Sequence, residues 1–320
     1  MSIYATTTDR PNQSNGAGAT DALNITEFTG IVEGTIQRFS VTDPYVNYRP
    51  VRGTNSLTNQ GIGKATLQKA TVGTSPDGTT VDHSKIQVTV DTLILSRTFL
   101  PLLETFQTNY DVRSEIGLEQ GKEIAKFKDQ AMLIQATKAS QLTTSPYGSA
   151  GHAGGTQITM AAAGDNNDPA KLYSKLAKMF EGMQLKDVDP INDGIGLFLS
   201  PVEYYVLTQS EFVVNGEYIT AEGNSVKAKM LNTFGVPVIC TNNIPRSNIT
   251  AHLLGSAFNG NFTKLVATAF SMRALLAGST IELESDIWFD KMSKQHVVDS
   301  HLSFSATPNR PEYAASLWLP

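Results

Sequence analysis

The chain has one cysteine, Cys240. A single thiol cannot close an intrachain disulfide or build a cysteine-based zinc site. Charge is also scarce: Asp, Glu, Lys and Arg make up 17% of the 320 residues, below the usual quarter. The net charge is −5, which argues against a basic nucleic-acid-binding surface built from clustered Lys and Arg. No apolar run approaches the roughly 18–20 residues of a membrane helix. The start, Met1-Ser2-Ile3-Tyr4 followed by a Thr/Asn/Gly stretch, lacks the basic and apolar regions of a signal peptide, so a cytoplasmic chain, or one released by lysis, is expected. Signatures of catalysis are missing too. There is no G-x-S-x-G elbow and no H-E-x-x-H pair. Gly61-Ile62-Gly63-Lys64 is followed by Ala65, which breaks the phosphate-loop pattern and leaves a hairpin tip with a basic residue. The glycines from 148 to 155 lack the strand–helix setting of a dinucleotide loop and read as a linker.

What is present is a chain with 40% apolar residues, too many for a disordered polymer. Residues 1–24 are polar and aperiodic, an arm that needs a partner to become ordered. A weak amphipathic pattern over 25–39 (Ile25, Phe28, Val32, Ile36, Phe39) predicts a short helix. Residues 41–85 carry turn signals at Asp43-Pro44, Arg49-Pro50 and Pro76-Asp77-Gly78 and few apolar residues between them. They read as a long β-hairpin or extended loop that packs on another chain. Alternation over Ile86–Leu95 predicts a strand.

From Asp111 to about Gln141 the pattern predicts a helix with an apolar stripe at Ile116, Ile124, Phe127, Ala131 and Ile134. Its length, about 45 Å, suggests a spine rather than a core element. Asp168-Pro169 predicts a second helix start, with Asp as the cap and Pro in the first turn. Ile195–Leu199 reads as a short buried strand, and Ser200-Pro201-Val202-Glu203 as a capping box opening a helix. A further short helix is expected over 225–234, and strands over Val236–Cys240, Ala251–Leu254 and Thr263–Thr268. Cys240 is expected to be an inert core residue. Ile281–Phe289 alternates as a strand, Val297–Phe304 is a further strand, and the chain ends, after Arg310-Pro311-Glu312-Tyr313, in a strand-like Ala314–Leu319.

Two clusters could carry chemistry. His296, Asp299 and His301 have ligand-type side chains, but 296 and 301 point to opposite faces of a strand. Glu282, Glu284 and Asp286 share one strand face, where like charges must be solvated, paired or bridged by a cation. The bland reading, polar residues on a solvated or partner-facing strand, is the expectation for both. Projections without a core of their own and no catalytic constellation together point to a homo-oligomeric structural protein.

Asn109-Tyr110-Asp111-Val112-Arg113-Ser114-Glu115 opens the long helix after the strand Ile86-Gln87-Val88-Thr89-Val90-Asp91. Leu199-Ser200-Pro201-Val202-Glu203-Tyr204-Tyr205, Asn232-Thr233-Phe234-Gly235-Val236-Pro237-Val238 and Arg310-Pro311-Glu312-Tyr313-Ala314-Ala315 follow. In this order the motifs resemble those of the T7-like, short-tailed branch of the major capsid proteins of tailed bacteriophages. The likeness covers roughly residues 82–320. It implies an α+β, HK97-type capsid fold: an N-terminal arm (1–44), an extended β-hairpin loop (45–85), a peripheral domain with the spine helix 111–141 (86–194 and 278–320) and an axial domain (195–277).

The implied function is self-assembly, as pentamers and hexamers, into an icosahedral shell around double-stranded DNA that is enclosed without sequence-specific contacts. A scaffolding protein, a portal protein and a decoration or cement protein are the implied partners. No cofactor, metal or membrane is implied. The place is the virion, with host cytoplasm during assembly. An encapsulin-like compartment and a hydrolase using the carboxylates of 282–286 are the alternatives. Because the family's loop lies over the next subunit, the basic loop (Arg49, Arg52, Lys64, Lys69) and the acidic strand (Glu282, Glu284, Asp286) suggest that Lys64 or Lys69 meets Glu282 or Glu284 of a neighbour.

Overall fold

The computed structural model describes residues 35, 39–63, 67–69, 71–73, 78, 81, 83–102, 112–148, 152–210 and 231–320. Residues 1–34 of the arm, most of the expected helix over 25–39, Lys64, and residues 225–230 of the expected short helix lie outside them. The strands are β1 (Tyr48–Pro50), β2 (Ser56–Ile62), β3 (His83–Thr89), β4 (Ile94–Pro101), β5 (Thr156–Thr159), β6 (Gly196–Leu199), β7 (Leu231–Thr233), β8 (Val236–Cys240), β9 (Asn248–Ile249), β10 (Gly260–Asn261), β11 (Leu265–Phe270), β12 (Leu275–Asp290), β13 (Gln295–Pro308) and β14 (Ala314–Trp318). The helices are α1 (Val112–Gln141), α2 (Pro169–Gln184) and α3 (Pro201–Thr208). No described helix is long and apolar enough to cross a membrane.

Two compact units divide the chain, and neither is continuous in sequence. Of the described residues, one takes those within 1–40, 90–129 and 279–304; the other takes those within 41–89, 130–278 and 305–320. The second unit is built on a six-stranded mixed sheet in the order β5-β14-β11-β6-β8-β7. Its strands come from both sides of the boundaries expected at 195 and 278. β11 runs antiparallel to β6 and β14, while β6 and β8 are parallel. All residues of β6, β11 and β14 are buried, which is why they read as continuous apolar runs rather than alternating ones. Phe198 and Phe270 stack at 5.1 Å, and Tyr45 meets both edge-on.

α1 contributes residues to both units. Its first half is amphipathic, as the stripe predicted. From Ala131 to Thr137 every residue is buried, so this half is core and not only a spine. Its polar side chains find partners there. Thr137 Oγ1 turns back to Leu133 O at 2.8 Å and reaches Thr268 at 3.0 Å, and Ser140 Oγ donates to Ser316 at 2.6 Å. Hydroxyls on a buried helix face need such partners, since an unpaired one costs about 1–3 kcal/mol.

α2 follows the sequence closely. Asp168 caps it by accepting from the amides of Ala170 and Lys171, and Leu172, Leu176, Met179, Phe180 and Met183 form its buried stripe. α3 begins at Pro201 as expected, but Ser200 makes no capping bond. Its hydroxyl instead donates to Glu203, whose carboxylate also takes Arg246 at 2.5 Å and Asn166 at 3.1 Å.

Other expectations need correction. The helix over 225–234 is not formed where the chain is described: Leu231–Thr233 is β7, and Phe234-Gly235 makes a tight turn into β8 with both φ values positive. Phe234 is a poor left-handed residue by itself, and its ring contacts Tyr173 and Phe180 at 4.8 and 5.7 Å. The strand over 86–95 is two strands, β3 ending at Thr89 and β4 starting at Ile94. Ala251–Leu254 is a turn region. Cys240 is exposed, because β7 pairs only with Val236–Val238 and stops short of it.

The hairpin of β2 and β3 pairs from Ser56↔Thr89 to Ile62↔His83. It is rooted on Tyr147 through Ile86, Val88, Leu57 and Leu276. Asn59 Nδ2 donates to Tyr147 Oη at 2.7 Å and to Asn309 Oδ1 at 3.0 Å. Gly61 lies flat on the Tyr147 ring, where a Cβ would sit 2.4–2.7 Å from three ring carbons. Gly61 is thus a packing residue within β2 and not a hairpin tip.

Two predictions arise here. Gly61→Ala should displace Tyr147 and weaken the hairpin root by about 1–3 kcal/mol. Hydrogen exchange should then quicken at β2–β3 amides and not in the six-stranded sheet; unchanged exchange at the hairpin would refute the packing role. Glu203 supplies the second. Burial pushes its carboxyl up, but the hydrogen bonds from Arg246, Ser200 and Asn166 together outweigh this and hold it below the usual carboxylate range. A lowered native pKa stabilises above the unfolded value, about 4.3, and the stabilisation is lost as pH falls through the native value. Arg246→Ala should cost about 2–3 kcal/mol at pH 7, less than a fully buried pair because Arg246 is partly exposed, and should move the acid-unfolding midpoint of the subunit to higher pH.

Candidate functional site

The hairpin and the strand face singled out by charge lie in different compact units, and each is described by itself. In the hairpin unit the projecting segment offers Lys85, on the exposed side of β3, and Lys69, fully on the surface. Lys64 lies outside the described residues. Leu67 and Val72 in the same segment are completely exposed, at 100% and 103%. Bare aliphatic side chains on a projection lose about 1.5–3 kcal/mol each relative to full burial. At the root of this unit, Arg49, Arg273 and Arg310 line a cavity of about 550 Å³ with Asn47, Met272, Leu275, Leu276 and Asn309. Arg273 is already engaged by Asp193 at 2.9 Å and by the Tyr313 hydroxyl at 3.2 Å.

In the other unit, β4, β12 and β13 form most of a four-stranded sheet ordered β1-β12-β13-β4. Alternation assigns its two faces. Toward α1, Gln120 is the polar link: its Nε2 donates to Thr98 Oγ1 at 3.2 Å and its Oε1 accepts from Ser300 at 2.8 Å. Phe127 meets Phe304 edge-on at 6.0 Å. His296 falls on this inner side, with its ring 5.0 Å from Phe289.

The outer face carries the acidic residues. Glu282, Glu284 and Asp286 are exposed there, as their period predicted. The adjacent strand brings Asp299 and His301 to the same face. His301 Nε2 is 3.4 Å from Glu284 Oε2. Asp299 is paired in register with Arg97 on β4, and its Oδ2 accepts from the guanidinium at 2.7 Å. Arg97 also lies over the Trp288 ring, 5.2 Å from its centre. Leu95, Phe99 and Trp288 surround this charged centre and are 45%, 54% and 41% exposed.

The structure therefore splits the trio His296, Asp299 and His301 by strand parity, leaving His296 inside. It joins Asp299 and His301 to Asp286 of the neighbouring strand. Arg97 had no role in the sequence reading. The signal that could have found it is the same period-two count, applied to 94–101 and 297–304 together.

The sequence of residues 63–274 matches the family model described as Gp10A-like, major capsid protein. No curated protein matches the chain. Among solved structures, the capsid of cyanophage P-SCSP1u is similar at a TM-score of 0.74 and 19% identity, over 88% of both chains. The mature capsid of bacteriophage PhiM1 follows at 0.73 and 21%, over 88% of this chain and 87% of the other. A virus-like particle from Pyrococcus furiosus is more distant, at 0.57 and 11%, covering 92% of this chain and 99% of that one. These likenesses establish the fold as that of phage capsid subunits, and the expectation of an α+β, HK97-type chain holds. The family model spans about two thirds of the chain, and the fold agrees with it: the chain belongs to the Gp10A-like family of major capsid proteins, whose role is structural rather than enzymatic.

Proposed function

We propose that this chain is the major capsid protein of a short-tailed, T7-like phage and that it assembles as pentamers and hexamers into an icosahedral shell around double-stranded DNA. The observation that carries the reading is the rooted hairpin with Leu67 and Val72 bare beyond it. Such a projection is stable only when a neighbour covers it. The arm (1–44) and hairpin loop (45–85) act between subunits, the unit with the six-stranded sheet meets its copies near the symmetry axes, and the four-stranded sheet with α1 forms the periphery. Assembly in host cytoplasm on a scaffolding protein, a portal at one vertex and a decoration protein outside complete the proposal. The enclosed DNA is held by volume and not by sequence, in keeping with an acidic chain.

Lys69, with Lys64, contacts Glu282 or Glu284 of the adjacent subunit in this reading. Each exposed pair contributes about 0–1 kcal/mol, and repetition over every equivalent interface makes the small quantity matter. Lys64→Glu with Lys69→Glu should raise the subunit concentration needed for assembly about two- to tenfold by light scattering. Adding Glu282→Lys and Glu284→Lys should partly restore it. No restoration, or no effect of the first pair, would remove this contact from the account.

A further inference from the structure

We propose that Asp286, Asp299 and His301 form a binding site for a divalent transition-metal ion of the Zn²⁺ type, with Glu284 as an additional ligand. One donor atom from each of the three lies within 4.8 Å of the other two. Donors on a common ion with bonds of about 2.0–2.4 Å lie no more than about 4–5 Å apart. The three atoms therefore already occupy the span that one ion needs, with small side-chain rotations to close it.

A separate observation points to the missing partner. Asp299 is buried, with its side chain 5% exposed. Its Oδ2 is taken by Arg97, and its Oδ1 is enclosed without any hydrogen-bond partner. An enclosed carboxylate oxygen left empty is expensive, and an ion between β12 and β13 would satisfy it. Arg97 then acts as an outer-sphere group. It fixes one oxygen of Asp299, is itself held over Trp288, and orients the other oxygen as metal ligands are commonly oriented. Charge is also consistent. Glu284, Asp286 and Asp299 bring three negative charges, Arg97 returns one positive, and His301 is neutral as a ligand. The remaining two negative charges match a divalent ion.

The donor set selects the ion. Imidazole with carboxylates suits Zn²⁺ and its borderline neighbours, whereas Mg²⁺ and Ca²⁺ prefer oxygen alone. The His301–Glu284 approach has a competing explanation without metal, in which a protonated imidazole neutralises the acids, and the experiment separates the two.

Purified capsomers and shells, stripped with chelator and dialysed, would be titrated with Zn²⁺ by calorimetry at pH 7, with metal content read by mass spectrometry. About one Zn²⁺ per chain is expected, unaffected by millimolar Mg²⁺. Asp286→Asn and His301→Gln should each weaken Zn²⁺ at least tenfold, and Asp290→Asn, on the same strand but outside the cluster, should leave it unchanged. Circular dichroism checks that the variants fold. In the unmutated protein, Co²⁺ should give a ligand-field absorption, and Zn²⁺ should shift the His301 ring resonances. Absence of Zn²⁺ binding, equal binding by all variants, or His301 resonances that answer to pH but not to Zn²⁺ would overturn the proposal.

Discussion

Seven consecutive residues of α1, from Ala131 to Thr137, are out of solvent, and the rest of the fold depends on how that burial is made possible. A helix can be covered all round only if its polar groups find partners and its small residues let other elements come close. Here Thr137 meets Thr268 on β11 and Ser140 meets Ser316 on β14. Those two strands are central to the six-stranded sheet. The same helix, nearer its start, uses Gln120 to satisfy Thr98 and Ser300 of the other sheet. One continuous helix thus supplies a core element to each compact unit.

What the subunit does not bury is as informative as its core. A hairpin fixed at its root by Tyr147 and Asn59 extends to aliphatic side chains with full solvent exposure. The outer face of the β4–β12–β13 sheet sets Leu95, Phe99 and Trp288 around charged groups. Scattered exposed apolar residues are ordinary. In the function proposed above, a projection and a sheet face that both expose them are the surfaces that other copies finish.

Much of this was legible in the residues. Asp168-Pro169 announced α2 because the cap and the first turn use local chemistry alone. The stripe from Ile116 to Ile134 announced α1, and clean alternation placed Glu282, Glu284 and Asp286 together. The losses have physical causes. The burial of α1 on all sides came from tertiary partners of Thr137 and Ser140, which no helical period reports. β7 was hidden because it is only three residues long and its turn opens on Phe234, a residue type that rarely takes the left-handed conformation. Ser200 turned from a helix cap to a buried carboxylate, a choice decided by Arg246, far away in sequence. Asp286, Asp299 and His301 come from two strands, so no single window held the cluster. Their convergence depends on the register of β12 against β13, fixed in part by the Ser285–Ser300 hydroxyl contact at 2.9 Å.

Electron cryo-microscopy of the expressed protein, with a reconstruction of whatever particle forms, tests the account most directly. The account predicts closed shells of icosahedral symmetry in which the hairpin beyond Ile62 lies on a neighbouring subunit, covering Leu67 and Val72. A small defined oligomer, or a shell in which the hairpin folds back on its own subunit or stays bare, would contradict it.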